Sequence, residues 1–406
     1  MRADFWKFWA GETVSNFGTS MTQFAVPLLV FKLTGSAVSL GIAAAAFGLP
    51  HLLFGLVIGA WTDRVDRKRL MIVVDVLSAL LVASVPVAAA AGVLSVWWLY
   101  VVVFGAATLS IFFEASQFGA IPSLVGRDEL VSANGRIQAS FAAASVLGPL
   151  AAGALLVFLP VEDVLFVDAA SFLCSAVMLS LIARAFNAPR ERERTSIRAD
   201  IVEGLRYVLR HPVLRNISAM MAMVNFVNAP VWAQLVLFAK TRYAASDSEV
   251  GLLFAAGGAG VVVCSLAAGP LRRRWSFGNV ALGALMLSGV LIVAAAYAPS
   301  FWLVIPLWGL SSGLGILFNI NTRSLRQSIV PEQMLGRIIT IAMVLAWSAS
   351  PVGAMIGGVL IERTGDVQTI YAVLGILIVA IPLWFRLFSP LGHAERYLET
   401  AREAAS

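Results

Sequence analysis

The chain has 406 residues, of which 59% are hydrophobic and only 13% are charged. Soluble domains usually carry about 25% charged residues, so the composition indicates an integral membrane protein with little soluble mass. The net charge of +6 does not indicate a nucleic-acid partner, because the cations lie in short loops between apolar segments, where they report membrane topology.

Apolar segments separated by polar breaks recur along the chain, and each is long enough to cross a hydrocarbon core of about 30 Å. In chain order they are 6–31, 37–61, 70–91, 97–119, 133–157, 164–186, 213–239, 250–271, 277–297, 300–322, 338–361 and 367–388. The predicted fold class is therefore all-α integral membrane, with twelve transmembrane helices. An even number of spans places both termini on the same side of the membrane.

The positive charges predict which side that is. With the termini inside, all but four of the 29 Lys and Arg residues fall in cytoplasmic segments. The four exceptions are Lys32, Lys240, Arg242 and Arg363. Because cytoplasmic loops are enriched in Lys and Arg, we predict a multi-pass protein of the cell (inner or plasma) membrane with both termini in the cytoplasm.

The longest polar stretch, Asn187–Pro212, divides the chain into halves at 1–186 and 213–406, and the second half ends in a short cytoplasmic tail. Within this linker, Ile197, Ile201, Leu205 and Val208 recur at helical spacing among arginines. This pattern predicts an amphipathic helix on the cytoplasmic face, held by apolar burial and by anionic lipid.

The two halves repeat each other weakly. Asn16 in span one corresponds to Asn225 in span seven, and Pro149 in span five corresponds to Pro351 in span eleven. Internal repeats of six spans are typical of secondary transporters, whose substrate site lies between the repeats near the bilayer midplane.

A charged turn lies between spans two and three. Its residues Gly59, Asp63, Arg64, Arg67 and Lys68 resemble the loop signature of the major facilitator superfamily. Asp66 stands where that signature usually has a glycine. The resemblance implies two pseudo-symmetric six-helix halves that work by alternating access. We predict that Asp63 and Arg67 hold the cytoplasmic side closed in the outward-facing state.

Two further stretches resemble one branch of that superfamily. Val202–Tyr207, just before span seven, is similar to the corresponding stretch of enterobactin exporters and macrolide-efflux proteins. Gly148, Pro149 and Gly153 resemble the antiporter signature of span five, with Ala152 in place of one family glycine. Small residues and proline there favour close helix packing and a bend, and the signature favours export over uptake.

In this superfamily, spans one, four, seven and ten line the substrate cavity, and each of these spans carries polar residues at helical spacing here. The cavity candidates are Asn16, Thr19, Gln23, Gln117, Asn225, Asn228, Trp232, Asn319 and Arg323. The alternative for any single amide or hydroxyl is that it only holds two helices together.

Two acids inside the spans are candidates for proton coupling, because an ionisable group inside a membrane is costly and usually functional. We rank Glu114 first, since Ser110 and Gln117 share its helix face, and Glu12 second. The alternative is that both acids lie at the interface in salt bridges to arginines such as Arg136 or Arg323. Asp75 is interpreted as structural, and Asp168 has no assigned partner.

The resemblance implies efflux of an amphipathic or hydrophobic small molecule, a drug or a secondary metabolite, driven by protons. An uptake symporter for a small polar solute and a siderophore exporter are the alternatives. A scaffold or sensor that transports nothing is a third possibility, which a cavity with ionisable groups disfavours. None of the lysines lies in a phosphate-binding loop and the three histidines are scattered, so we predict neither enzyme activity nor a cofactor or metal. The expected state is a monomer in lipid, with no nucleic acid bound.

Overall fold

The structure is a computed structural model that describes residues 3–62, 65–125, 129–184, 186, 197–276, 278–330 and 335–393. Within these ranges the regular secondary structure is helical. The chain divides into two compact units, Met1–Glu191 with Ala244–Ala255 and Arg192–Tyr243 with Ala256–Ser406. The linker at 187–212 and the halves on either side of it stay a prediction from sequence.

Unit 1 contains the first six helices and the start of the tenth. These helices are α1 (Ala3–Thr34), α2 (Ala37–Thr62), α3 (Arg67–Ala90), α4 (Val96–Leu124), α5 (Leu130–Leu155) and α6 (Val164–Ser180). Helix α1 packs against α5 and α6, while α3 packs against α4 and α6 and α2 packs against α4. Because α6 is shared by α1 and α3, polar side chains on these three helices can meet.

Aromatic and aliphatic side chains fill the end of unit 1 where α1 begins. Phe5 and Phe8 of α1, Met71 of α3, Leu124 of α4 and Phe186 are all at most 2% exposed there. The ring of Phe8 meets that of Phe186 edge to face, with centroids 6.3 Å apart. This cluster holds the start of α1 in place, next to the polar side chains of the same helix.

Unit 2 contains the remaining helices. They are α7 (Ile197–Arg210), α8 (Pro212–Ala233), α9 (Leu235–Tyr243), the rest of α10 (Asp247–Arg274), α11 (Gly283–Ala296), α12 (Phe301–Ile329), α13 (Leu335–Trp347), α14 (Ser350–Thr364) and α15 (Val367–Phe388), with a π-helical turn at Gly278–Leu282. Helix α8 contacts α13, α14 and α15, and α11 packs between α12 and α15.

Each of the twelve predicted spans coincides largely with helix in the described residues, although α6 ends at Ser180, six residues before the predicted end of its span. Among the described residues, nine segments qualify by length and apolarity as membrane spans, with Ile341–Thr364 of α13 and α14 counted as one, and the number is ten if the bent pair α8–α9 is also one span. The other two predicted spans are α1, which carries four charged residues, and α6, whose 17 residues rise only about 26 Å at 1.5 Å per residue.

Two predicted spans are broken in the structure. The chain bends by 48° between α8 and α9, at Gln234, four residues after Pro230. The predicted span 338–361 divides into α13 and α14, and Pro351 lies in the first turn of α14, where a missing backbone N–H is tolerated.

The predicted helix in the linker is present as α7, but part of its apolar face packs on protein rather than being left for lipid. Val208 is fully buried in a cluster with Leu214, Val330, Ile338 and Ile341, and Leu205 packs against the same cluster. Outside this contact, Val202 and Leu209 are 48% and 50% exposed.

Candidate transport site

A side-chain hydrogen bond between two predicted cavity-lining helices joins α1 to α4. The side-chain amide of Gln117 donates a hydrogen bond to Oε1 of Glu12, and Asn16, one turn further along α1, lies against the same carboxylate. Glu12 is only 7% exposed, and its Oε2 atom has no hydrogen-bond partner among the described residues. A buried carboxylate that lacks a full set of donors is far more stable when it carries a proton.

Glu114, which the sequence ranks first for proton coupling because Ser110 and Gln117 share its helix face, has a different environment in the structure. Its side chain is exposed on α4, and it interacts electrostatically with His51 of α2. Gln117 contacts Glu12 and not Glu114. In the described part of the chain neither acid forms an ion pair; Arg136 instead lies over the Trp6 ring, 4.9 Å from its centroid.

Asp75, interpreted from sequence as structural, is close to the Glu12 site. It is 1% exposed, the Ser175 hydroxyl of α6 lies against its carboxylate, and it is near enough to Glu12 for the two acids to interact electrostatically. Two buried acids on α1 and α3 therefore share the seam with α6. Their spacing in sequence gives no indication of this, because it depends on which helices pack together.

Asp168 of α6 has partners that the sequence did not identify. It is 1% exposed, and its Oδ1 atom accepts from the Thr19 hydroxyl at 3.4 Å and lies 3.2 Å from the Ser171 hydroxyl oxygen. Thr19, a predicted cavity residue, thus contacts an acid of α6. The signal available in the sequence was Gly18, which removes a side chain at the place where Asp168 approaches α1.

Of the other predicted residues on α1, Gln23 is exposed, and no hydrogen bond from it is described. In unit 2, Asn225 donates to the Ala346 carbonyl oxygen at 2.8 Å, which ties α8 to α13. This contact fits the alternative that a single amide holds two helices together. Asn228 is partly buried, and Asn319 and Arg323 of α12 are exposed.

An aromatic pair lies between α8 and α12. Trp232 is 44% exposed and Trp308 only 4%; the rings meet edge to face with centroids 4.6 Å apart. Such a pair offers an apolar surface with indole N–H donors. One residue that sequence reasoning assigned only to a loop, Arg326, is 5% exposed and directs Nη2 at the Met221 sulfur, 3.2 Å away.

The charged turn after α2 is only partly described. Gly59 lies in the last turn of α2, whereas Asp63 and Arg64 fall outside the described residues, so the predicted role of Asp63 stays a prediction. Asp66, which replaces the family glycine, is the N-cap of α3 and accepts from the Arg69 backbone N–H at 3.1 Å. Its φ of −67° needs no glycine, and its side chain satisfies a backbone donor at the start of α3.

Two cations of this turn, Arg67 and Lys68, bind helix carbonyl groups within unit 1. Arg67 Nη1 donates to the Gly119 carbonyl oxygen of α4 at 3.1 Å. Lys68 donates to the carbonyl oxygens of Ser180 and Ile182 at the end of α6. The Lys68 contacts are favoured because the last carbonyl groups of a helix lack partners and carry partial negative charge.

The predicted packing motif of α5 lies against α1 and the first turns of α10. Gly148 packs on α1: a Cβ there would lie 2.6 Å from that of Ser20. The Ser248 hydroxyl of α10 donates to the Gly153 carbonyl oxygen at 2.7 Å. Gly251 approaches so closely that an added Cβ would lie 2.8 Å from the Pro149 carbonyl oxygen. The small residues therefore permit close packing of helices.

The chain is similar to known proteins over nearly its whole length. A family model described as transmembrane secretion effector matches residues 1–400. The multidrug efflux pump Tap of Mycolicibacterium fortuitum is 29% identical over 384 residues, which cover 90% of this chain and 92% of Tap. Macrolide efflux protein A of Streptococcus pyogenes is 22% identical over 387 residues, which cover 93% and 94% of the two chains.

A solved structure agrees at the level of the fold. The nucleoside transporter NupG superimposes with a TM-score of 0.78 at 12% identity, covering 95% of this chain and 98% of NupG. The predicted fold class, family and transporter rather than enzyme character are confirmed by these matches. The chain belongs to the transmembrane secretion effector family of the major facilitator superfamily, and it is a multi-pass membrane transporter.

Proposed function

We propose that the chain exports an amphipathic or hydrophobic small molecule, a drug or a secondary metabolite, in exchange for protons by alternating access. The observation that carries the proton coupling is Glu12, a buried acid on α1 whose described hydrogen bond comes from the neutral Gln117 amide. Such an acid can take up a proton at little cost and release it when its surroundings become wet. Glu114, exposed and beside His51, is the second proton-coupling candidate.

The substrate class is supported by the relatives. Tap is named a multidrug efflux pump and the streptococcal relative a macrolide efflux protein, and the edge-to-face pair of Trp232 and Trp308 supplies an apolar contact surface of the kind such molecules need. We place both termini in the cytoplasm on the charge distribution, and the protein in the cell membrane as a monomer surrounded by lipid.

The test is uptake of a radiolabelled macrolide, erythromycin, by liposomes that contain the purified full chain and an imposed pH gradient. A proton antiporter accumulates the macrolide when the interior is acidic, whereas an uptake symporter accumulates it when the exterior is acidic. Protein-free liposomes measure the passive trapping of this basic drug in an acidic interior, which is subtracted.

The variant Glu12→Gln should lose the gradient-driven part of the accumulation but retain counterflow, in which labelled and unlabelled drug exchange without net proton movement. Glu162→Gln is the matched control, since it makes the same change in the loop before α6, away from the α1–α4 contact. Equal gradient dependence in wild type and Glu12→Gln would remove Glu12 from the mechanism. Absence of macrolide counterflow in the wild type would contradict the proposed substrate class.

A further inference from the structure

The cradle around Asp168 on the seam of α1 and α6 is a second buried acid site. Thr19 and Ser171 contact Oδ1 of Asp168, and Thr22, on the same face of α1 as Thr19, lies beside the carboxylate as well. These α1 residues are close to the middle of a helix that runs from Ala3 to Thr34. Asp168 therefore lies deep in the bundle relative to α1, although it is near the start of α6.

The Ser171 hydroxyl offers the Asp168 carboxyl group at most a shared hydrogen bond. A serine hydroxyl has a single hydrogen, and the Ser171 oxygen lies 2.8 Å from the backbone carbonyl oxygen of Asp168 but 3.2 Å from its Oδ1. That hydrogen is shared between the two acceptors, so Ser171 gives a carboxylate at Asp168 only a weak donor. The Thr22 hydroxyl lies beside the same carboxyl group and has no other hydrogen-bond partner among the described residues, so it can accept a proton that Asp168 carries.

No described cation compensates a negative charge at this position. Helices α1 and α3 pack against α6, and the side chains of α1 that contact Asp168 are neutral hydroxyls. Toward the start of α1 and of α3, the nearest titratable groups are the acids Glu12 and Asp75. Toward the end of α1 the nearest is Lys32, which is paired with Asp247 at 2.5 Å. An unpaired charge here would be strongly disfavoured.

The cradle is also too closely packed to hold a metal cation. A Cβ added at Gly18 would lie 2.7 Å from Asp168 Oδ1 and 2.8 Å from the Ser171 Cβ, so protein atoms already fill the space on the α1 side. A sodium or calcium ion requires six or so oxygen ligands around an open centre. A proton requires only the oxygen atoms that are present.

We propose that Asp168 is a second proton-binding residue of unit 1, joined to Glu12 by the polar face of α1. This inference rests on the proposed proton coupling. Thr19, Asn16 and Glu12 follow one another at intervals of three and four residues, so they share one face of the helix. The seven residues from Glu12 to Thr19 span about 10 Å of α1, and Asn16 divides that distance with an amide that both donates and accepts.

The test measures protonation without any transported substrate. Infrared difference spectra of the full chain in lipid nanodiscs, recorded between alkaline and mildly acidic buffer, show the carbonyl bands of protonated carboxyl groups. We expect Asp168→Asn to lose one such band that wild type and Asp163→Asn both retain. Asp163 is the matched control because it lies five residues earlier, at the N-cap of α6. A spectrum of Asp168→Asn that keeps every carboxyl band overturns the proposal.

Two conservative variants keep the acid in place. Thr19→Val and Ser171→Ala should shift the band that Asp168→Asn loses, because each removes a hydroxyl that contacts the carboxyl group. An unshifted band in both variants contradicts the proposed cradle. Replacing potassium by sodium in the buffer should leave the band unchanged, and a sodium-dependent change would assign the site to a metal cation instead.

The transport consequence separates this inference from the proposed function. In the gradient-driven macrolide assay, Asp168→Asn should fall to the level of protein-free liposomes while retaining counterflow, and Asp163→Asn should behave as wild type. Gradient-driven accumulation that survives in Asp168→Asn overturns its link to Glu12. If the wild type shows no macrolide transport but does show the infrared band that Asp168→Asn lacks, the proposed substrate is contradicted and the proton site at Asp168 is retained.

Discussion

The side chain of Gln117 on α4 donates its amide hydrogen to the Glu12 carboxylate on α1. It is the only side-chain hydrogen bond described between these two helices. Gln117 therefore fixes the orientation of the acid that we place in proton coupling, and its removal tests that role without changing the acid itself.

We expect Gln117→Leu to reduce gradient-driven macrolide accumulation strongly and to lower the stability of the protein. The physical reason is that Glu12 loses its donor, and an unsatisfied buried acceptor costs about 1–3 kcal/mol. Gln138→Leu is the control, since Gln138 is exposed on α5. Gradient-driven transport and melting temperature that match the control would show that the hydrogen bond does not orient Glu12.

The Gly18 position allows a test of packing around Asp168. Since a Cβ at Gly18 would lie 2.7 Å from Asp168 Oδ1, Gly18→Ala must move α1 away from α6, at a cost of about 1–3 kcal/mol for overpacking. We expect a lower melting temperature in detergent. Gly55→Ala on α2 is the control, because a Cβ there meets no atom within 4 Å; equal melting temperatures for the two variants would contradict the close packing.

The sequence pattern determines where the membrane helices lie but not which of their side chains meet. Most ends of the apolar segments were located to within about five residues, because a hydrocarbon core demands long apolar helices whatever they pack against; α6 ends six residues earlier and α12 seven residues later than predicted. The sequence could not show whether Glu114 or Gln117 of α4 contacts Glu12 of α1. Residues three apart differ in direction by about 60° on a helix of 3.6 residues per turn, so both belong to one polar stripe, and only the packing of α1 on α4 selects Gln117.

The interruptions between α8 and α9 and between α13 and α14 could not be predicted from the sequence either. Pro230 and Pro351 were visible, but many membrane helices continue through a proline, because neighbouring groups satisfy the freed carbonyl. Pro27, Pro50 and Pro86 indeed lie inside continuous helices here. The partners of Asp168 could not be assigned either, because they depend on α6 packing against α1, which no local spacing encodes.

The cations at the end of α6 make a prediction about local stability. Lys68 and Lys7 donate to carbonyl oxygens at this helix end, Lys7 to Leu181 at 2.8 Å. We expect Lys68→Met to speed amide hydrogen exchange in the last turn of α6, since such a cation contributes about 0.3–1 kcal/mol. Arg69→Met is the control because its side chain is 87% exposed, and exchange that rises equally in both variants would rule out the capping role.

The start of α15 should respond to pH. The Thr369 side chain and its backbone N–H both hydrogen-bond to Asp366, and they hold the pKa of this N-cap carboxyl below its usual value. The folded state thus favours the ionised form, so its stabilisation is present above the ordinary pKa and is lost as the pH falls through the lowered value. Acidification should therefore lower the melting temperature of wild type more than that of Asp366→Asn, which caps without titrating; parallel curves would contradict this.

The contact between α5 and α10 in unit 1 gives the sharpest test of the predicted packing motif. Gly251 faces Pro149 and Gly153, and an added Cβ would lie 2.8 Å from the Pro149 carbonyl oxygen and 3.2 Å from the Gly153 Cα. Backbone atoms cannot rotate away as a long side chain can, so Gly251→Ala must separate the two helices. The Lys32–Asp247 ion pair and the bond from Ser248 to Gly153 lie within four residues of this point and should weaken with it.

We expect Gly251→Ala to lower both the melting temperature and the rate of macrolide counterflow. Counterflow should fall because loss of the close contact between α5 and α10 changes the relative stability of the conformations that alternate during transport. Gly269→Ala is a matched control on the same helix, since a Cβ there meets no atom within 4 Å. A cysteine pair at positions 153 and 248 would report the separation directly, by slower disulfide formation when Gly251 is also replaced. Unchanged cross-linking and unchanged counterflow in Gly251→Ala would mean that Gly153 and Pro149 do not form a packing site for α10.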